Sequence, residues 1–250
     1  YMATNKILLI STGGTIAGNV ADEKKGGLTE TRKAEDFSEF IKSSDIHFKK
    51  NWGIDIDIHT EELCDVDSSD ILPEHWKGLV KIIVKKYDDY DSFIITHGTN
   101  TMGYTSAALS FAFANLNKPV IVTGSQVPSG MPGSDALTNL NNALRVAVWP
   151  HQPTVKGVVA VFGSHIITGA RVKKNTEFDY DAFQSFTTAS IGRIGRIINF
   201  NRANLEKHLN YLETDKYNKA LMADDLIYKN DFDMRIASFT EFPGMSKDIF

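Results

Sequence analysis

Cysteine is almost missing from this sequence. Cys64 stands alone among 250 residues, so no internal disulfide can form. No Cys/His cluster has the spacing of a zinc site, and neither a metal nor a cofactor is expected. Positive charge is also scarce: Lys and Arg total 27 against 31 Asp and Glu, a net charge of −4. That leaves no electrostatic reason to bind nucleic acid or an anionic membrane. No apolar run reaches the length of a membrane span, and the N-terminus lacks a basic-then-apolar signal segment. A cytoplasmic location is the expectation. Met2 is expected to be the natural start, with Tyr1 an addition. Repeats and low-complexity tracts are absent too. The rest is the composition of an ordinary soluble globular protein, 42% hydrophobic and 23% charged. Its length fits one large domain, or one domain and part of another.

Short apolar runs at 6–10, 54–59, 92–96, 120–123 and 158–162 read as strands. Helical spacing falls between them. Trp76, Leu79, Val80, Ile83 and Tyr87 recur after Pro73, which suits a first helical position. Ala107, Ala108, Phe111, Ala112 and Asn115 form a second set, and Leu137, Leu140, Leu144, Ala147 and Val148 a third. Near-continuous apolar strands alternating with helices predict an α/β fold, a parallel sheet with helices on both faces. Ligands of such sheets bind outside the carboxyl ends of the strands. The expected organisation is an α/β domain over 1–198 and a connector over 199–233, with one helix near 205–212. Residues 234–250 are expected to hold the first strand of a second α/β domain, at 234–239.

Two strand ends carry related motifs. Ser11-Thr12-Gly13-Gly14-Thr15-Ile16-Ala17-Gly18 follows the first strand, and His97-Gly98-Thr99-Asn100-Thr101-Met102 follows the third. Glycine at such a turn lets a ligand approach the backbone, and two hydroxyls at parallel strand ends suggest one site lined by both. Neither motif is the dinucleotide fingerprint or a phosphate loop. Each, alone, also fits a tight strand-to-helix turn.

Together the pair resembles the bacterial-type asparaginase and glutaminase family, closest to its cytoplasmic branch. Asp67-Ser68-Ser69-Asp70, Thr123-Gly124-Ser125-Gln126 and Val172-Lys173-Lys174 fall in that family's order, and the likeness runs from about Lys6 to about Ser190. The resemblance implies hydrolysis of L-asparagine to aspartate and ammonia, with weak glutaminase activity. It makes Thr15 the nucleophile that forms an acyl-enzyme, and puts Thr99 and Lys174 in a second catalytic set. Asp67, Ser68, Ser69 and Asn100 would bind the amino-acid substrate. Taken alone, Lys174 reads as a solvated surface lysine, 67–70 as a cap for the helix after Pro73, and His97 as a structural residue. The family normally continues into a smaller C-terminal domain and assembles as a homodimer or homotetramer when that domain is present.

Two positions depart from the pattern. Asn100 stands where the family has an aspartate, so a charge is lost. Hydrogen bonds to charged groups are worth roughly 1.5–3 kcal/mol, which scales the expected loss in substrate handling at about ten- to a hundred-fold. The loop over 19–30 also lacks the tyrosine that the family places on a mobile lid. Within the same family the alternative is the glutaminase subunit of a tRNA-dependent amidotransferase, and the two departures keep open a non-catalytic regulatory homologue or an inactive fragment.

Overall fold

Five runs become the parallel strands of one sheet. Those at 5–11, 92–96, 119–123 and 157–162 are buried because helices cover both of its faces, and the strand 56–62 at the edge is only partly covered. The computed structural model describes residues 4–13, 18–20, 28–31, 38–129, 131–151, 154–212, 225–238, 240 and 243–246. Along the chain run β1 (Asn5–Ser11), the hairpin β2 (Gly18–Val20) and β3 (Leu28–Thr31), α1 (Ser38–Trp52), β4 (Ile56–Glu62) and α2 (Pro73–Lys86). Then come β5 (Ser92–Thr96), α3 (Met102–Ala112), β6 (Pro119–Thr123), α4 (Ala136–Ala147), β7 (Gly157–Phe162) and β8 (His165–Thr168). The last elements are β9 (Val172–Lys174), β10 (Phe183–Ser185), β11 (Gly192–Ile194), β12 (Ile198–Phe200) and α5 (Arg202–Leu212).

The eight-stranded sheet has the order β12-β11-β8-β7-β6-β5-β1-β4. Strands β4, β1, β5, β6 and β7 are parallel, and β8, β11 and β12 extend the sheet as an antiparallel meander. Alternation along each strand divides the core in two. Ile7, Leu9, Ile94, Ile121, Val159 and Val161 face α1, α4 and α5. Leu8, Ile10, Phe93, Ile95, Val120 and Val122 face α2 and α3.

From β4 onward the crossovers all step in one direction along the sheet, past β1 to β5, then to β6 and β7. A single hand would hold α2, α3 and α4 on the same face. Because α4 lies on the face of α1, the β6–α4–β7 crossover has the opposite hand to the other three. Parallel crossovers are right-handed in about 98% of cases, which makes this connection the exception. It is anchored at its start by Asp135, whose Oδ1 accepts from the Gln126 and Val127 N–H groups at 3.0 Å each.

Strand order reverses between β1 and β5, since β1 leads outward to β4 and the chain then returns past β1. A parallel sheet opens a crevice at the carboxyl edge of such a switch point. In register Ser11 pairs with Thr96 and Thr96 with Thr123, so the loops after β1, β5 and β6 emerge side by side.

The C-terminal part departs from expectation. Residues 234–238 form no strand, and Ile236 is 82% exposed. An extended segment becomes a strand only where a neighbour takes its backbone hydrogen bonds, and no described strand runs beside it. Phe239 lies outside the described residues. The described parts of the expected connector, 199–212 and 225–233, are more ordered than their polarity implies. They begin with β12 and α5, and 225–232 folds back on the end of α3. There Ile227 O accepts from Ala114 N at 3.0 Å, Asn115 Oδ1 accepts from Ile227 N at 2.7 Å, and Phe232 packs edge-on against Trp76.

Candidate functional site

The β5–α3 loop is held from three sides. His97 N donates to Thr123 O at 2.8 Å, tying the ends of β5 and β6. Its fully buried ring acts as a strut. Because a carbonyl only accepts, the 2.7 Å bond to Gly98 O places the proton on Nδ1. Nε2 then accepts from the Thr105 hydroxyl at 2.8 Å, and Thr105 Oγ1 accepts from Trp76 Nε1 at 3.0 Å. Burial pushes His97 down to about 4 against the opposing bond to Gly98, so the ring is neutral near pH 7. The expected structural role fits this geometry.

On the second side, Gly98 sits against the turn at Ser68–Asp70, a short 3₁₀ helix. A Cβ on Gly98 would come within 2.8 Å of Ser68 Cβ, so only glycine allows this approach. Asp67 caps the 3₁₀ turn by accepting from Ser69 N at 2.8 Å. Its cap therefore belongs to this turn and not to α2, which starts after Leu72, whose N–H bonds His75 Nδ1 at 2.8 Å. Ser68 is buried and its Oγ accepts from Asn100 N at 3.1 Å, while Asn100 Nδ2 donates to Ser69 Oγ at 3.2 Å. Ser68 is therefore turned inward as a tie, and Asp67, Ser69 and Asn100 are exposed. The start of α3 points at this place, where helix N–H groups favour an anion such as a carboxylate.

On the third side β9 crosses the first turn of α3. A Cβ on Gly103 would lie 2.7 Å from Val172 O, and that close passage carries Lys174 over Thr99. The Lys174 side chain, 13% exposed, donates to Thr99 Oγ1 at 3.0 Å and to Asn100 Oδ1 at 3.2 Å. It also forms an ion pair with Glu177.

The structure thus brings together Thr99, Asn100, Lys174, Ser68 and Ser69, with Asp67 alongside. Thr15, the expected nucleophile, lies outside the described residues, as does most of the 19–30 loop. The Thr12 hydroxyl is turned to the sheet, donating to Thr96 O at 3.0 Å. Cys64 stands next to it, and burial followed by the charges of Asp65 and Glu62 pushes its thiol up to about 11, which keeps it unreactive. Sequence reading missed Glu177, Thr105 and Trp76. No pattern marks Glu177 beyond its place three residues after Lys174. Thr105 and Trp76 carry the helical phase of the elements that bring them to His97, but pairing across elements has no local signal. Cavities of about 550 and 600 Å³ lie elsewhere, the first lined by His165, Ser190 and Arg193, the second by His47, Trp52 and Arg145. Among the described residues no group of three or more His, Cys, Asp or Glu is placed to hold a metal ion, and no helix is long and apolar enough to cross a membrane.

A family model described as asparaginase, N-terminal, matches residues 6–206. The chain belongs to the asparaginase family. It is 48% identical over 120 residues to L-asparaginase 1 of Escherichia coli (strain K12), covering 48% of this chain and 35% of that protein. It is 30% identical over 254 residues to a glutamyl-tRNA(Gln) amidotransferase subunit of Thermofilum pendens, covering 98% of this chain and 51% of that one. Among solved structures, L-asparaginase I of Vibrio cholerae matches with a TM-score of 0.76 at 31% identity, over 99% of this chain and 67% of that chain. This asparaginase-family chain spans about a third to a half of the length of these curated relatives.

Proposed function

We propose that this chain carries the acyl-transfer site of an amidohydrolase that converts L-asparagine to L-aspartate and ammonia, with weak action on glutamine. The observation that carries the reading is the Lys174 ammonium seated on the Thr99 hydroxyl, with Asn100 beside it, at the switch point of the sheet. Amide hydrolysis needs a nucleophile, a group to handle its proton, and a grip on the charged end of the substrate. Thr15 Oγ attacks the side-chain amide carbon, and an ester forms as the C–N bond breaks. The hydroxyl proton moves to the amide nitrogen and leaves with ammonia, while Thr99 and the Lys174 ammonium orient the attack and stabilise the charge that develops. Water then cleaves the ester, releasing aspartate and restoring the Thr15 hydroxyl. Asp67, Ser69 and Asn100, together with the start of α3, bind the α-amino and α-carboxylate groups, and Ser68 holds Asn100 in place.

The relative that is an amidotransferase subunit favours a second reading, in which the same chemistry supplies ammonia from glutamine to a tRNA-dependent partner. In either case the cytoplasm is the proposed location and a homodimer or homotetramer the proposed assembly of the complete protein. The boundary near residue 198 is likewise proposed. Ammonia release from asparagine and from glutamine by the full-length protein tests the assignment. Thr15→Ala and Lys174→Met should each fold normally and lower kcat by at least about a thousand-fold, since the nucleophile and the groups that orient its attack act as a unit. Near-parental rates in either variant would remove that residue from the mechanism. Glutamine turnover that requires tRNA and a partner would select the second reading.

A further inference from the structure

An ammonium has three protons to donate and no acceptor site. Lys174 uses all three: one on Thr99 Oγ1, one on Asn100 Oδ1 and one on Glu177 Oε2. The first two partners are neutral, and Asn100 is committed to this orientation because its Nδ2 donates to Ser69 Oγ. Among the described residues Glu177 is the one carboxylate within ion-pair distance of Lys174. Other charged or titratable groups on the elements around it are Arg171 before β9 and Lys173 within it, Asp179, Tyr180 and Asp181 in the β9–β10 hairpin, Tyr104 on α3, and Asp67 and Asp70 at the 3₁₀ turn. Arg171 is occupied with Phe186 O and Thr187 Oγ1, and Asp67 with Ser69 N.

We propose that Glu177 is a positioning residue of the site, the carboxylate that holds the Lys174 ammonium over the Thr99 hydroxyl. The inference rests on the catalytic role given to Lys174 under Proposed function. The local fold delivers Glu177 to this place. After β9 the chain closes a hairpin onto β10, with Lys174 paired to Phe183 and Asn175 N donating to Ala182 O at 2.8 Å. Within it Phe178 N donates to Thr176 Oγ1 at 3.1 Å, a side-chain turn that bends the backbone at Glu177 back toward the strand end. Glu177 is 70% exposed while Lys174 is mostly covered. A pair this open to solvent adds little to stability. Its effect is orientational: without a charged partner, a lysine on four rotatable bonds has only two neutral acceptors to fix its head.

Glu177→Gln, Glu177→Asp, Asn100→Asp and the double variant Asn100→Asp/Glu177→Gln would be made in the full-length protein. Glu177→Gln should lower kcat for asparagine by about five- to twenty-fold, the size of one charge-assisted contact, with KM within about two-fold and an unchanged melting temperature. Glu177→Asp should recover part of the loss. In the double variant, a carboxylate on the other side of Lys174 should cancel most of the Glu177→Gln defect, giving strong non-additivity. A kcat unaffected by Glu177→Gln, or a defect of equal size in the Asn100→Asp background, would overturn the proposal. An independent readout needs no turnover: with ¹⁵N-labelled lysine, the Lys174 ammonium signal, assigned by its loss in Lys174→Met, should be sharp in the parent and exchange-broadened in Glu177→Gln. An identical signal in both would also overturn it. If the parent protein hydrolyses neither asparagine nor glutamine, the functional reading fails, and the ammonium signal still decides the role of Glu177.

Discussion

The Trp76–Thr105–His97–Gly98 chain has one direction of donation and no spare partner. The indole can only donate, Thr105 both accepts and donates, and the imidazole passes the sequence on to a backbone carbonyl. Each link is fixed by what its neighbour cannot do. Thr105→Val keeps the shape and removes the hydroxyl, leaving the buried His97 Nε2 and the partly buried Trp76 Nε1 unpaired. Unsatisfied buried groups cost about 1–3 kcal/mol each. Thr105→Val should therefore destabilise the fold by roughly 2–4 kcal/mol in denaturant unfolding, and loosen the Thr99 loop that His97 supports. A loss below about 0.5 kcal/mol would mean that water replaces the hydroxyl. At this scale the sequence was informative about residue type and mute about partners. His97 beside Gly98 is recognisable as a turn histidine, and Thr99 and Lys174 carry motif signals. Glu177 is an exposed acid in a polar loop, and only the β9–β10 hairpin turns it toward Lys174.

Among elements, β1, β5, β6 and β7 were readable because burial on both faces writes apolar runs into the chain, the edge strand β4 by its alternation of isoleucine with polar residues, and helices α2, α4 and α5 by helical spacing. The weaker readings have physical causes. The second set of helical positions pointed to Phe111, yet α3 turns Phe111 outward, 67% exposed, and buries Met102, Thr105, Ser106, Leu109 and Ala112. Its buried face is partly polar, with Thr105 bonded to His97 and Ser106 to Met102 O, so hydrophobicity placed Ala112 correctly and Phe111 on the wrong side. Strands β9 to β12 are three residues each, too short for period-two alternation to register. The elements meet through glycine. Gly98→Ala places a methyl where Ser68 Cβ and Oγ lie, 2.8 Å away, with Ser68 N at 3.3 Å. Neither the tied Ser68 nor the β5 end can move freely. Overpacking of this kind costs about 1–3 kcal/mol, and the 3₁₀ turn should shift away from Asn100. Gly98→Ala should raise KM for asparagine more than it lowers thermal stability, measured by steady-state kinetics and calorimetry on one preparation. A parental KM would show that Ser68 yields without disturbing the site.

For the molecule as a whole, the histidines set how stability responds to acid. His97, His165 and His208 are all held below the usual histidine range, in each case mainly by burial. The ring of His208 is held at both nitrogens, by Thr168 Oγ1 at 3.1 Å and Lys156 O at 2.8 Å. His165 faces Asp181, which partly offsets its burial, and Arg193, which adds to it. An unfolded histidine titrates near 6.5. Below that pH the unfolded chain takes up protons that the folded chain refuses. Stability from these groups is therefore complete above about pH 6.5 and is lost as the pH falls toward their folded values. For His97, which reaches about 4, the loss amounts to as much as about 3 kcal/mol at 1.36 kcal/mol per unit. That is a large share of the 5–15 kcal/mol typical of a domain. Asp65 works in the opposite sense, since burial and then the charge of Glu62 raise its carboxyl, but it is largely exposed and its effect is small. The unfolding free energy should therefore fall steadily from pH 7 to pH 5, with about one to three protons taken up on unfolding near pH 5.5. Calorimetry in buffers of different ionisation enthalpy counts those protons directly. An uptake near zero, with a flat stability curve over that interval, would mean that the buried rings admit a proton without cost.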